Sequence, residues 1–382
     1  MIRIKNFFIF IIAVLTLPSC DNESDILQNE TTVPDAIHSI INDFRTGINV
    51  SSRSNTDFQV VSIDTKYYKI DSDTIIEIPQ TRSDDSIFDI STVNIRVNDT
   101  DGFVVLSSDE RLNKIFYYTE NGHLSDTVNI PPLKEYINMV PSFAADEIIG
   151  LTPSSETRAA LPQNLLIAPI VPFKWGQGQP FNDLAPTCGC KECAKIGGHR
   201  PIGCVPTAAA QTLATIGTFK PTHYGCRDID FKTLPKLSSS MTLRQKLQVA
   251  HFFYEVALCC QVKFECSGSG SHGKAIYHYF KDMGFSCSFV EGPIDCQRLI
   301  DELQKGYPHL MGGKGSDGSH RWIVDGIRIS STGTYFSCNW GEYGQCDGWV
   351  EGNPFTAIDS AGKATVYSKN LSHIYIQSIP QK

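Results

Sequence analysis

Apolar residues Val33, Ile37, Ile40, Ile41 and Phe44 recur at helical spacing and predict a helix over 33–45. From Phe58 the period changes. Short β-rich runs at 58–61, 74–79, 93–97 and 102–106 are separated by Asn, Asp and Gly clusters, which predicts strands joined by hairpin turns. A further strand is expected at 115–118, a turn at 120–122 and a second helix at 133–139. Together these describe a small α+β domain over 33–150. Residues 151–162 are polar and punctuated by Pro153 and Pro162, the character of a linker open to proteolysis. Beyond the linker, 163–382 divides again. Helical patterns begin after Cys204 and recur at 243–258, 274–281 and 295–304; strand patterns follow at 308–311, 321–329, 334–340, 349–350 and 372–379. The expected fold class is α+β: a small N-terminal domain, then a larger domain with a helical half and an antiparallel β half.

The N-terminus reads differently. Arg3 and Lys5 precede an apolar stretch, 7–17, too short to span a bilayer comfortably, and Ser19 stands before Cys20. This is a secretory signal over 1–19. Leu17, Ser19 and Cys20 resemble the lipobox of bacterial lipoproteins, which makes Cys20 the lipidated first residue and 20–32 a polar tether. An ordinary cleaved signal with an incidental cysteine is the alternative.

Charge and cysteine change at the same boundary. Residues 21–160 carry 24 acidic and 10 basic side chains and no cysteine; residues 161–382 carry 17 acidic and 21 basic, with twelve of the thirteen cysteines. Opposite signs suit an N-terminal part lying on the C-terminal one, by an attraction that salt would weaken. The acidic balance, −8 overall, and the lack of a basic run argue against nucleic-acid binding.

The candidate chemistry starts at Gly203-Cys204-Val205-Pro206-Thr207-Ala208-Ala209-Ala210-Gln211. Pro206 fits a first helical turn, the alanines and Leu213 favour helix, and Gly217 is a fitting C-cap. Cys204 is thus expected at a helix N-terminus, where unpaired N–H groups and the dipole favour thiolate. A thiolate nucleophile needs a base and a group that orients the base. His320 opens one strand and Asn339 ends the next; a hairpin centred on 330–333 sets them opposite one another, with Trp340 placed to shield their hydrogen bond.

Four motifs then make a specific resemblance: Trp175-x-Gln177-x-x-Pro180-Phe181-Asn182; Gly203-Cys204-Val205-x-Thr207-Ala208-x-Ala210-Gln211; Gly318-x-His320-x-x-Ile323-Val324-Asp325-Gly326; and Asn339-Trp340-Gly341 with Asp347-Gly348. The chain resembles the streptopain family of papain-like bacterial cysteine peptidases. Residues 102–109 and 115–122 also resemble that family's inhibitory pro-domain. The resemblance implies a papain-like catalytic domain made as a zymogen, with 33–150 folded over the cleft and removed by cleavage within 151–162, Arg158 being one candidate site. It implies Cys204 as nucleophile, His320 as general acid/base, Asn339 as the orienting residue, and Gln177 as an oxyanion donor beside the Cys204 N–H. Trp340, Ser269, Gly270, Gly318 and Ser319 are the implied substrate cleft. Protein or peptide substrates, the chain's own pro-domain and a membrane reached through Cys20 are the expected partners. Four departures leave substrate preference open: Arg321 follows His320, Glu342-Tyr343 interrupts the glycines after Trp340, Cys338 precedes Asn339 in place of an apolar residue, and 188–200 looks like an insertion.

Two other readings bear on the same residues. Cys188, Cys190 and Cys193 with His199 suit either zinc or a disulfide-tied loop. The tight spacing and the lack of a second Cys-x-x-Cys favour the latter, so no metal or cofactor is expected. The peptidase fold could also serve as a catalytically silent surface-binding protein, or carry a Cys-His-Asn acyltransferase.

Overall fold

The computed structural model describes residues 32–48, 57–71, 74–79, 85–150, 161–219, 229–315, 318–352 and 369–380. The expected signal peptide, 20–31 of the expected tether with Cys20, and 151–160 of the linker, Arg158 included, lie outside the described residues.

Helix α1 (Thr32–Ile48) and strands β1 (Phe58–Asp71), β2 (Thr74–Ile78), β3 (Ile87–Val97), β4 (Thr100–Ser107) and β5 (Lys114–Thr119) form the N-terminal domain with α2 (Pro131–Ile148). All neighbouring strands here are antiparallel, in the order β2-β1-β3-β4-β5. Side chains alternate across the sheet. Val104, Leu106 and Tyr118 join Ile37, Ile41 and Phe44 of α1 in one apolar cluster. Phe103, Val105 and Phe116 face Leu133, Tyr136 and Val140 of α2 in another. A helix on each face explains why 103–106 is an unbroken apolar run rather than an alternating one. β1 and β3 are longer than the sequence pattern predicts: none of the extra residues of β1 is buried, so no apolar alternation marks them.

The C-terminal domain starts with β6 (Leu165–Ile167) and the short α3 (Lys191–Ala194). Its helical half is α4 (Cys204–Ile216), α5 (Leu243–Cys259) and α6 (Ala275–Asp282). Next come β7 (Ser286–Glu291), α7 (Cys296–Gln304), β8 (His309–Gly315), β9 (Gly318–Ser330), β10 (Gly333–Asn339), β11 (Gly348–Glu351) and β12 (Lys369–Ser378). The helix ends follow local chemistry. Thr242 and Gln245 make a capping box at α5, the Asp295 side chain accepts from Arg298 N at α7, and Gly217 closes α4 at φ 74°. β7 was not anticipated, since Ser286-Cys287-Ser288 carries little strand pattern.

The two domains share one sheet. β5 pairs with β11, Tyr118 opposite Trp349 and Tyr117 opposite Val350, giving the order β2-β1-β3-β4-β5-β11-β10-β9-β8-β12-β7. The apolar clusters cross the boundary as well: Tyr335 and Trp349 pack with the α1 cluster, and Trp322, Phe336, Trp340 and Val350 with the α2 cluster. Thr119 Oγ1 donates to Asp347 O at 2.7 Å and Asn121 Nδ2 to Gly344 O at 2.9 Å. The ion pair Lys114–Glu351, at 3.8 Å, has its basic member on the acidic domain. Strand pairing and apolar burial thus make the junction.

Candidate active site

α4 is buried nearly all round, Val205 through Ala214, which fixes its N-terminus in the body of the domain. Gly203 precedes it at φ 99°, where a Cβ would lie 2.6 Å from Ser269 O, so the turn into the helix admits glycine alone. Cys204 is therefore the first helical residue and only partly buried. β9 brings His320 to it, with Gly313 of β8 as the cross-strand neighbour.

His320 Nε2 lies 3.0 Å from the backbone oxygen of Trp340. A carbonyl only accepts, so Nε2 carries the proton and Nδ1 is left for the Cys204 sulfur. Burial pushes the Cys204 thiol up. The nearby His320 charge and hydrogen bond, the Arg321 backbone N–H and the Arg321 charge outweigh it, and the thiol ends below its ordinary range. Burial likewise pushes His320 down, but the Cys204 charge and hydrogen bond, the Trp340 carbonyl and the Glu342 charge leave it raised. The two shifts are mutual and favour thiolate beside imidazolium.

The orienting residue is not the expected one. The two-residue turn at 331–332 sets Gly333 opposite Ser330, and an irregularity at 337–338 sets Asn339 opposite Ile323. Asn339 thus falls three residues inside His320. Its side chain is buried against Gln211 instead: Oδ1 accepts from Gln211 Nε2 and from Gly341 N, both at 3.1 Å, and Nδ2 donates to Phe173 O at 3.1 Å and to Gln211 Oε1 at 3.3 Å. Asn339 shapes the Trp340-Gly341 turn, and the Trp340 carbonyl holds the imidazole. Asp347 pins the preceding peptide, accepting from Trp340 N at 3.0 Å and from Lys174 Nζ at 2.7 Å.

Gln177 lines the same cleft as Cys204 and His320, and its Nε2 donates to Glu342 Oε1. Glu342 is pushed up to about 7 by burial, against the pull of His320 and the Gln177 hydrogen bond. Its role could not be read from the sequence, where it registered only as a departure from the motif. Arg321 is buried, its guanidinium donating to Gly273 O at 3.0 Å and to Ser372 Oγ at 3.1 Å. Burial pulls it down to about 10, so it is charged at neutral pH.

Of the expected cleft residues, Ser269, Gly270 and Ser319 line the cavity. Trp340 and Gly318 do not. The Trp340 ring is buried against Trp322, 5.6 Å between centroids, and contributes its backbone; Gly318 sits at the start of β9, beyond the cavity wall. Val128, Asn129 and Pro131 of the N-terminal domain stand in the same wall. The remaining expectation to be revised concerns the cysteines. Cys188, Cys190 and Cys193 gather with Cys266, not with His199, whose Nδ1 sits 2.6 Å from Ala185 O. The Sγ atoms of Cys188 and Cys266 lie 2.6 Å apart, so the expected loop is tied to the strip that carries Cys266 and not within itself.

A helix-tip cysteine facing a histidine on an antiparallel β half is the arrangement of a papain-like cysteine peptidase fold, here with an α+β domain joined to its sheet. Comparison with known proteins agrees. Residues 175–350 match the model of the Peptidase C10 family, and the resemblance to streptopain stands. The chain is similar to the thiol protease/hemagglutinin PrtT of Porphyromonas gingivalis, 23% identical over 288 residues, which is 65% of this chain but only 32% of that protein. It is similar to streptopain of Streptococcus pyogenes, 22% identical over 287 residues, 65% of this chain and 71% of that one. Among solved structures, a prointerpain A fragment from Prevotella intermedia superposes with a TM-score of 0.52 at 20% identity, over 80% of this chain and 98% of that one; at this identity the match speaks for the fold.

Proposed function

We propose that the chain is the latent precursor of a cysteine endopeptidase, carried across the inner membrane, anchored by a lipid on Cys20 at the periplasmic or cell-surface face of the envelope, and released from that tether by cleavage within 151–162. The observation that carries the catalytic part is the pairing of Cys204 with an imidazole whose far nitrogen is fixed by the Trp340 carbonyl.

The Cys204 thiolate attacks the scissile carbonyl carbon, and the carbonyl π pair moves to oxygen. That oxyanion is met by the Cys204 N–H at the helix tip and by a Gln177 amide N–H. Gln177 Nε2 bears two hydrogens, so the bond to Glu342 fixes the amide and leaves one N–H for the substrate. The His320 imidazolium gives its Nδ1 proton to the leaving amine as the C–N bond breaks, leaving a thioester. His320 then takes a proton from water, whose oxygen attacks the thioester; the acid leaves and the thiolate–imidazolium pair returns. Latency fits the N-terminal domain, whose Val128 and Asn129 wall the cleft that a substrate would enter.

The test is labelling with an epoxide thiol inhibitor and the fate of the precursor. Processed protein is expected to take the label at Cys204, and Cys204→Ala to accumulate at full length without labelling. Absence of labelling and of peptide cleavage in processed protein would leave a binding protein of peptidase fold.

A further inference from the structure

The insertion before the nucleophile and the strip 263–270 along the cleft meet at four sulfurs. The Sγ atoms of Cys188, Cys190, Cys193 and Cys266 all lie within 4.8 Å of one another. We propose that these four cysteines bind one zinc ion as a tetrathiolate site, and that the ion staples the 186–200 insertion to the cleft wall beside Cys204.

The geometry fits that ion. Zinc bound by four thiolates at about 2.3 Å sets its sulfurs about 3.8 Å apart at the corners of a tetrahedron, within the 4.8 Å that bounds all four; the Cys188–Cys266 pair, at 2.6 Å, opens by about 1 Å to take the ion. Four soft donors with no carboxylate or carbonyl among them select zinc over magnesium or calcium. Cys188 Sγ and Cys266 Sγ lie 2.6 Å apart, the spacing of neither a disulfide nor a zinc-bound pair, and the sulfurs of Cys190 and Cys193 lie within 4.8 Å of both; a Cys188–Cys266 disulfide is the competing state. Pairing within the insertion would close loops as short as Cys188-Gly189-Cys190, where the Cα separation a disulfide needs is hard to reach.

The backbone is shaped to present the sulfurs. Cys190 caps α3, its sulfur accepting from Cys193 N at 3.5 Å, and such N–H···S contacts support a thiolate ligand. Gly197 and Gly198, at φ 87° and 78°, fold the chain back so that Gly198 N donates to Cys193 O and Cys188 N to Gly198 O, both at 2.8 Å. Cys266 arrives from the other side on a strip pinned by the Lys263–Gly270 backbone pair and by Arg200 Nη1 donating to Phe264 O at 2.6 Å. That strip carries Ser269, whose carbonyl abuts Gly203 immediately before the nucleophile. A zinc staple here therefore fixes one wall of the substrate cleft without touching the reacting atoms.

The test uses the full chain as Cys204→Ala, which prevents self-processing and removes the catalytic thiol as a ligand. Purified without added metal, it is expected to hold about one zinc per chain by elemental analysis. Four thiols should become open to alkylation only when a chelator releases the zinc. Adding Cys193→Ser or Cys266→Ser is expected to drop zinc to background, whereas adding Cys346→Ser, away from the cluster, is expected to leave it. Should the ligand variants fail to fold, the zinc content and metal-gated alkylation of Cys204→Ala decide alone. Zinc at background in that protein, with another metal in its place or with a mass lowered by disulfide formation, would overturn the proposal.

Discussion

Replacing Asn339 by alanine separates two roles that the sequence cannot tell apart. In the structure this carboxamide makes no bond to His320; it joins the 339–341 turn to Gln211 and Phe173. Alanine leaves the Gly341 N–H, the Phe173 carbonyl and the Gln211 Nε2 without this partner in a buried site, while Gln211 Oε1 keeps the Trp175 N–H at 3.3 Å. Each orphaned buried group costs about 1–3 kcal/mol. Partial relaxation would bring three of them to about 3–4 kcal/mol in total, which for a domain of this size lowers the melting temperature by roughly 10 °C. The assay is thermal unfolding of processed Asn339→Ala, together with its pH profile of peptide cleavage below the transition. A large fall in melting temperature is expected, with reduced turnover and both limbs of the profile unmoved, because the Trp340 carbonyl still holds the imidazole. An unchanged melting temperature with a displaced basic limb would refute this reasoning and return Asn339 to direct contact with His320.

Three further outcomes follow. Glu342→Gln is expected to match the parent enzyme below about pH 6, where Glu342 is protonated, and to fall behind it by several-fold at pH 8. The reason is that a carboxylate titrating at about 7 supports the His320 imidazolium only above that value; a profile unchanged at pH 8 contradicts it. Arg321→Met removes a buried positive charge that draws the Cys204 thiol down. Alkylation of Cys204 at pH 6 should slow on the order of threefold to tenfold, and an unchanged rate would show that the helix tip and His320 suffice. Inhibition of the processed enzyme by the separate 33–150 domain should vary little between low and high salt, since strand pairing and apolar packing make the junction. A steep loss with salt would restore the net charges as its cause.

The helical half was legible because its signals are local. Gly203, Cys204 and the alanine-rich turn after them define a helix start by backbone freedom and propensity alone, and Gly217 defines its end. The hairpin was legible as two strands but not in its register. A two-residue turn and one irregularity at 337–338 decide which residue faces which, and each moves Asn339 relative to His320 without a trace in the apolar pattern. Glu342 and Arg321 were visible as departures, yet their meaning depends on burial beside His320 and Cys204, which residue type alone does not report. Cys266 lies over seventy residues from its three partners, so the four-sulfur cluster exists only in the folded chain. The shared sheet was equally hidden, because the edge of β5 carries no mark of pairing with β11.

The central claim is that Cys204 and His320 share a proton as thiolate and imidazolium. The most direct measurement is the pH dependence of Cys204 alkylation in the processed protein, compared with His320→Ala. The account predicts a sulfur reactive well below the ordinary thiol range, displaced upward when the imidazole is removed. A sulfur that titrates as an ordinary thiol and is indifferent to His320→Ala would contradict it.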